Sequence, residues 1–327
     1  MELPEKIISS CWIKTIIGVN NFKIVDQTIA KPIVSVAILA YNHQDYIAQA
    51  IESVLMQKTK FSVQIVIAED CSSDNTRSII LDYQKKYPEV IKLILQHKNV
   101  GARQNNYDLL SNLTGQYIAA LEGDDYWTDP EKLRKQVDYL KANQDCNLVY
   151  HRSEILDEES GKIELETLNN PDFTMKRDLN YLALNGNFMH TATVLYRNNF
   201  SLPQHLFKGV IGDYILWFLN GEKGKYGYIP DIMSVYRFWG GSVWGKKSLY
   251  FRLQSSIEML CVLRDYTVDH RVKKSLGKKI TTLIELLPLK SLNFKEKITF
   301  IIFILKVKPS YIFEFLKRGG RYIGTRK

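Results

Sequence analysis

At 327 residues the chain can bury a large core, and one elaborated α/β domain with a helical appendage suits it as well as two domains. Its four cysteines, Cys11, Cys71, Cys146 and Cys261, form no C-x-x-C pair, which argues against a zinc ribbon or a disulfide framework and fits a reducing cytosol. The net charge of +9 is concentrated: residues 271–327 hold 15 Lys or Arg against three acids, whereas the first 270 residues hold 29 against 32, so the basic part reads as a separate attachment surface and not as a nucleic-acid site.

Residues 1–30 form an N-terminal extension whose mixed apolar stretch, Ile7 to Val19, is expected to be a helix packed on the domain. Glu2 and Glu5 stand where a secretory leader would be basic, and no apolar run approaches the roughly 20 residues that span a bilayer. A cytoplasmic protein is the expectation. The catalytic region is expected over residues 31–245. Ile33 to Ala40 is a continuous β-branched and aliphatic run of the parallel-strand type, and it ends at Tyr41-Asn42. The next helix places Ile47, Ala50, Ile51, Val54 and Leu55 on one face. A second strand, Val63 to Ala68, ends in Glu69-Asp70 and leads through Cys71-Ser72-Ser73-Asp74-Asn75-Thr76 into a helix carrying Ile79, Ile80 and Tyr83. A third, Ile91 to Leu95, is followed by Asn99-Val100-Gly101 and a helix through Leu113. A fourth, Tyr117 to Leu121, then runs into Glu122, Asp124 and Asp125. These β-α alternations predict a parallel sheet covered by helices on both faces.

Three carboxylates within four residues repel one another unless a proton is shared or a cation supplied. At the C-terminal end of a buried strand, where open α/β sheets bind ligands, a hard divalent ion bound through oxygen answers that repulsion, and Gly123 allows close backbone approach. The alternative is a solvated acidic loop. Helix capping does not need these acids, because Asp129, Pro130 and Glu131 already supply a start signal for a helix over Pro130 to Ala142.

Beyond that helix the pattern becomes mixed. Asn147 to His151 predicts a strand, and Ile155 to Glu164 a polar hairpin turning near Ser160-Gly161. Phe188 to Tyr196 predicts another strand, and Ile211-Gly212-Asp213 leads into an apolar helix, Tyr214 to Leu219. Tyr226 to Phe238 predicts two short strands broken at Pro230-Asp231. Residues 246–327 form a helical region that becomes basic after His270. No G-x-G-x-x-G follows the first strand, which argues against a dinucleotide-binding domain. Gly240 to Lys247 matches a phosphate loop only as far as G-x-x-x-x-G-K, with Lys247 in place of the metal-holding hydroxyl, and it lies too late in the chain.

Val34-Ser35-Val36 through Tyr41-Asn42, Glu69 through Thr76, Asn99-Val100-Gly101 and Leu121-Glu122-Gly123-Asp124-Asp125-Tyr126-Trp127 resemble, in order and spacing, the family 2 glycosyltransferases, in the form common to a bacterial surface-polysaccharide subgroup. The resemblance spans about Lys31 to Trp244. It implies a Rossmann-like glycosyltransferase-A fold with a mixed central sheet and a C-terminal helical extension. It also implies metal-assisted, inverting transfer from a nucleotide-diphosphate sugar, usually a UDP-sugar, to a glycan or lipid-linked glycan acceptor, with Mn2+ or Mg2+ as the ion. By matching position, Tyr41 and Asn42 line the base pocket, Asp70 hydrogen-bonds the uracil, Asp124 and Asp125 face ribose, diphosphate and metal, and Glu122 stands near donor or acceptor. Asp213 resembles the catalytic base, and an ordinary helix N-cap is the other reading.

Two positions depart from the family pattern. Asn106 stands where relatives carry a diphosphate-binding arginine, which leaves Arg103 as a substitute or a surface residue. Trp239 stands where relatives often carry a histidine after Tyr-Arg-x, giving an aromatic face that stacks on a sugar or lipid-linked acceptor, or else belongs to the core. A catalytically inactive nucleotide-binding scaffold and a sugar nucleotidyltransferase are the alternatives. The basic region, with Leu283, Ile284 and Leu287 and then Phe300, Ile301, Phe303 and Ile304 flanked by lysines, is either an attachment to an anionic membrane surface or a lid packed on the domain.

Overall fold

The computed structural model describes residues 22–28, 31–166, 175–208, 212–240, 247–286 and Ile302. The expected Ile7 to Val19 helix, residues 241–246 of the Gly240 to Lys247 match, and Leu287, Phe300, Ile301, Phe303 and Ile304 of the basic region lie outside them. The first half alternates as expected, with β1 (Phe22–Val25), β2 (Val34–Ala40), α1 (Ile47–Leu55), β3 (Val63–Glu69), α2 (Thr76–Lys86), β4 (Ile91–Gln96), α3 (Ala102–Leu110) and β5 (Tyr117–Glu122). After it come β6 (Tyr126–Trp127), α4 (Lys132–Ala142), β7 (Cys146–Asp157), β8 (Lys162–Leu165), α5 (Leu179–Asn185), β9 (Leu195–Arg197), α6 (Asp213–Gly221), β10 (Lys225–Phe238), α7 (Leu249–Tyr266) and α8 (His270–Glu285).

Among the described residues the ten strands join one sheet in the order β1-β4-β3-β2-β5-β9-β7-β10-β6, with β8 hairpinned onto β7. The strands β4, β3, β2 and β5 are mutually parallel. Strand β2 shows why the expected pattern holds. Val34, Val36, Ile38 and Ala40 face a cluster containing Ile47 and Ile51 of α1, Ile80 of α2 and Val137 of α4, while Ala37 faces a second cluster on the opposite side with Leu109, Trp217, Ile257 and Leu276. Burial on both faces requires apolar residues at consecutive positions, which removes the alternation of a half-exposed strand.

Several elements differ from expectation. Phe22–Val25, expected inside the N-terminal extension, is an edge strand antiparallel to β4. Phe188 to Tyr196 is not a strand: the backbone N–H and hydroxyl of Thr193 both donate to the His190 carbonyl, at 3.0 and 2.7 Å, and close a 3-10 turn over Thr191–Thr193 before the short β9. Tyr226 to Phe238 is one long strand, not two, because its parallel pairing with β7 absorbs Pro230-Asp231 as a register shift between Ile229 and Ile232. Helix α4 starts at Lys132 instead of Pro130, after a turn in which the Asp129 carboxylate accepts from the Glu131 amide at 2.8 Å. Helix α3 ends at Leu110, short of Leu113. Helix α8 settles the packing of the first part of the basic region. Val272, Leu276, Ile280 and Ile284 recur at helical spacing and are buried in the core shared with α5 to α7, so this apolar stripe is spent on the protein. Among the described residues no helix is long and apolar enough to cross a membrane.

Candidate functional site

The C-terminal ends of β2, β3 and β5 finish side by side, with Ala40 level with Glu69 and Leu39 level with Glu122. Loops leaving three adjacent parallel strands therefore converge on one edge. Two residues there hold left-handed backbone, Asn42 (φ 55°) and Cys71 (φ 55°). The Asn42 carboxamide oxygen accepts from the Ser73 amide at 2.9 Å and the Asn42 amide donates to the Ser72 hydroxyl at 3.0 Å, which ties the β2 and β3 loops together. Tyr41 is exposed beside them.

Asp70 is buried, and its two carboxylate oxygens accept the Val100 and Gly101 amides at 2.7 and 2.9 Å. Burial raises its affinity for a proton, outweighing those two hydrogen bonds. Asp70 thus braces the Asn99-Val100-Gly101 turn against the ends of β2 and β3, its own amide donating to the Ala40 carbonyl at 3.0 Å, and its preceding neighbour Glu69 is fully buried against Arg77. Arg103 is exposed on the first turn of α3 beyond that brace.

The β5–β6 turn carries the acids. Gly123 fits because a Cβ there would lie 2.7 Å from the Leu39 carbonyl oxygen and 2.6 Å from the His43 ring. Asp124 is the more open acid; one of its oxygens accepts from the Trp239 indole at 2.8 Å and lies 3.8 Å from His43 Nε2. Asp125 is buried. One of its oxygens takes the Arg237 backbone amide at 2.8 Å and the other has no hydrogen-bond partner. Burial and the neighbouring Asp124 charge push its pKa well above the ordinary carboxylate range. Glu122 is half-buried, and burial together with Asp124 and Asp213 pushes its pKa up to about 8.

Asp213, at the start of α6, stands within electrostatic reach of Glu122 and of the Tyr236 hydroxyl, which the charges of Glu122, Asp124 and Asp125 also reach. Gly212 is the N-cap of α6, and Asp213 is the first residue of the helix. Its carboxylate accepts from its neighbour Tyr214 at 2.8 Å and from the Asn187 amide group at 3.1 Å, which fixes its position. Burial raises its pKa, so it holds a proton more strongly than a solvated aspartate. Asn106, where the resemblance places an arginine, packs on Gly212: its side-chain nitrogen would lie 2.7 Å from a Cβ there.

Among the described residues no three His, Cys, Asp or Glu side chains converge on one point, so the acids do not form an all-protein metal cage. The residues fit a different mode, in which one or two carboxylates hold a magnesium-like ion and substrate phosphates complete its shell. Asp124 is open enough for that, and the unpartnered oxygen of Asp125 is the nearest reserve.

Four features were not legible beforehand. Arg237 grips the acidic turn, and His190 stacks on Tyr236 with ring centres 4.6 Å apart while its Nδ1 bonds the Ser153 hydroxyl at 2.8 Å. Asn187 holds Asp213. Trp239 supplies a hydrogen bond to Asp124 as well as an aromatic face, its ring lying 5.2 Å from that of Tyr46. The Tyr-Arg-x segment alone could have signalled Arg237.

Residues 35–201 match the family model described as "Glycosyl transferase family 2". An uncharacterized Mycobacterium tuberculosis protein, Rv1520, is 35% identical over 211 residues, covering 64% of this chain and 60% of its own. The chain therefore spans less than two thirds of that relative. TuaG of Bacillus subtilis, provisionally named a teichuronic acid biosynthesis glycosyltransferase, is 37% identical over 110 residues, covering 34% of this chain and 42% of its own. The crystal structure of S. aureus TarS residues 1–349 with UDP-GlcNAc superposes with a TM-score of 0.62 at 15% identity, covering 84% of this chain and 81% of that one, which is likeness of fold.

Proposed function

The chain belongs to glycosyl transferase family 2, and from that premise we propose that it moves a sugar from a nucleotide-diphosphate donor to a hydroxyl of a glycan acceptor, with inversion at the anomeric carbon. The observation that carries this reading is the electrostatic proximity of two carboxylate sets: the Glu122, Asp124 and Asp125 turn at the end of the parallel strands, and Asp213 at the start of α6. The N-cap of α6 is Gly212, and Asp213, one residue on, accepts the Tyr214 amide and the Asn187 side chain.

In this reading Tyr41, Asn42 and Asp70 receive the base, with Asp70 directing a remaining lone pair at a uracil N–H, and Arg103 lies at the rim on the diphosphate side. Asp124, with Asp125 behind it, would hold a Mn2+ or Mg2+ ion. Such an ion, when bound, neutralises charge on the departing diphosphate as a Lewis acid. Asp213 takes the proton of the acceptor hydroxyl, that oxygen bonds the anomeric carbon, and the bond from carbon to the diphosphate oxygen breaks with its electron pair. The raised proton affinity of Asp213 suits the base role, since a base near the operating pH transfers protons most effectively. Glu122 and Trp239 flank the sugar. Aromatic faces pack well on sugar rings while their polar edges stay bonded, as the indole N–H is here.

The TuaG name and the TarS complex support a UDP-sugar and a surface-polysaccharide acceptor, and we take an undecaprenyl-diphosphate-linked glycan as the acceptor form. Attachment to the inner face of the cytoplasmic membrane then falls to residues 287–327, which hold ten Lys or Arg and two acids and, apart from Ile302, lie outside the described residues. Calorimetry of nucleotide sugars with and without Mn2+, followed by release of the nucleoside diphosphate, tests the central reading. Asp124→Ala is expected to abolish turnover, and a variant that keeps near-wild-type turnover without added metal overturns the assignment. For the membrane, sedimentation with anionic vesicles should weaken as salt rises and vanish on truncation after residue 286.

A further inference from the structure

Arginines beside a diphosphate site ordinarily bind phosphate, yet each guanidinium nitrogen of Arg237 already bonds a protein group. It is 6% exposed at the end of β10, and its side chain is divided among three elements. Nε donates to the Asp124 carbonyl at 2.7 Å, one terminal nitrogen donates to the Gln49 carboxamide of α1 at 2.6 Å, and the other pairs with Glu158 in the β7–β8 turn. The guanidinium also lies over Tyr46 at 4.6 Å and near Tyr126 at 5.2 Å. Its backbone amide takes the Asp125 carboxylate, and two residues on, the Trp239 indole takes that of Asp124. One strand end therefore holds three groups on two adjacent acids. Glu158 cancels the arginine charge, so the grip adds little positive field that would compete with a cation for Asp124.

We propose that Arg237 and Glu158 form a positioning pair that holds the Asp124-Asp125 turn in its donor-binding geometry and makes the β7–β8 hairpin part of the donor site. Arg237 touches no reacting atom; it acts through Asp124. The inference rests on the reading of Asp124 as a donor-site residue. Without Glu158 the guanidinium keeps its bonds to Asp124 and Gln49 but loses the anchor that sets its plane. Lysine at position 237 keeps the charge but cannot bond three partners in one plane.

The test uses the full chain as wild type, Glu158→Gln, Arg237→Lys, their double variant and Asp124→Ala. It measures UDP affinity by calorimetry with Mn2+, donor KM and melting temperature. Glu158→Gln, in a partly exposed turn, should weaken UDP about fivefold or more and raise donor KM by a similar factor, with melting shifted by no more than about 2 °C, given coupling of the size found within a hydrogen-bonded network. Arg237→Lys should weaken UDP at least as much, and the double variant should be no worse than Arg237→Lys alone, because the two residues act as one unit. If Arg237→Lys does not fold, Glu158→Gln alone decides. Wild-type UDP affinity in Glu158→Gln, losses that multiply in the double variant, or an affinity loss that follows a fall in melting temperature each overturn the pair. Asp124→Ala separates the two levels: if it loses UDP while Glu158→Gln does not, only the positioning role fails, and if it binds UDP as wild type, the donor-site reading fails and takes this inference with it.

Discussion

Replacing Gly123 with alanine probes the acidic turn without touching a carboxylate. The added Cβ would lie 2.7 Å from the Leu39 carbonyl oxygen, 2.6 Å from His43 Nδ1 and 3.1 Å from the Ile47 Cδ1 methyl. Two of these three contacts must open by about half an ångström or more to become ordinary van der Waals contact. The nearest backbone neighbour cannot yield cheaply, because Gly123 N–H already donates to that same Leu39 carbonyl at 2.8 Å. Overpacking of this kind costs about 1–3 kcal/mol, and weakening the hydrogen bond adds about 1 kcal/mol, so a loss of roughly 2–4 kcal/mol is expected. The relief is displacement of the turn away from β2, which moves Asp124 off its place. Misplacement by about 1 Å at a reacting centre costs on the order of 10²-fold in rate. Urea unfolding at constant m-value reads the first quantity, and UDP calorimetry with donor turnover reads the second. Removing the His43 ring leaves the Leu39 contact, so Gly123→Ala/His43→Ala should not recover turnover. A Gly123→Ala protein with wild-type unfolding midpoint and turnover would show that the close approach of this turn to β2 is not needed.

Asp213→Asn should retain UDP affinity and lose turnover by about 10²-fold or more, the scale of general-base catalysis, whereas joint loss of affinity would mark it as structural. Burial raises the folded pKa of Asp213, so its contribution to stability is full below the unfolded pKa and is lost as pH rises through the folded one. Asp213→Asn should therefore gain stability relative to wild type as pH rises through that window, as denaturant unfolding at pH 4 and pH 7 would show, and parallel pH dependences would refute it. Asp70→Asn keeps one acceptor oxygen for two amides, Val100 and Gly101, and sets an amide N–H against the other. A cost of about 1–3 kcal/mol is expected, with faster amide exchange at Val100 and Gly101. Leu276→Ala, at a fully buried position of α8, should cost about 2–5 kcal/mol in global unfolding; a change under 0.5 kcal/mol would mean that α8 does not share the core.

Local chemistry made much of this protein legible in its residues. The runs Ile33 to Ala40, Val63 to Ala68 and Tyr117 to Leu121 are apolar at successive positions because strands covered on both faces need no polar side, and acids at their ends mark the ligand edge of such a sheet. Asp213 was singled out through the family resemblance, and its carboxylate is held at the start of α6 by Tyr214 and Asn187. What periodicity does not encode is pairing across long separations. The bond from Arg237 to Asp125 spans 112 residues and that from Trp239 to Asp124 spans 115, and neither residue type announces its partner. The strand expected at Phe188 to Tyr196 became a turn because hydrogen bonds from Thr193 to His190 satisfied the backbone locally. The break expected at Pro230 disappeared because β7 offered a continuous partner. The apolar stripe of α8 had two candidate surfaces to cover, lipid or protein, and residue pattern is the same for both. Only the tertiary structure, which places Val272, Leu276, Ile280 and Ile284 against α5 to α7, decided between them, because burial depends on what stands opposite a helix face and not on the face alone.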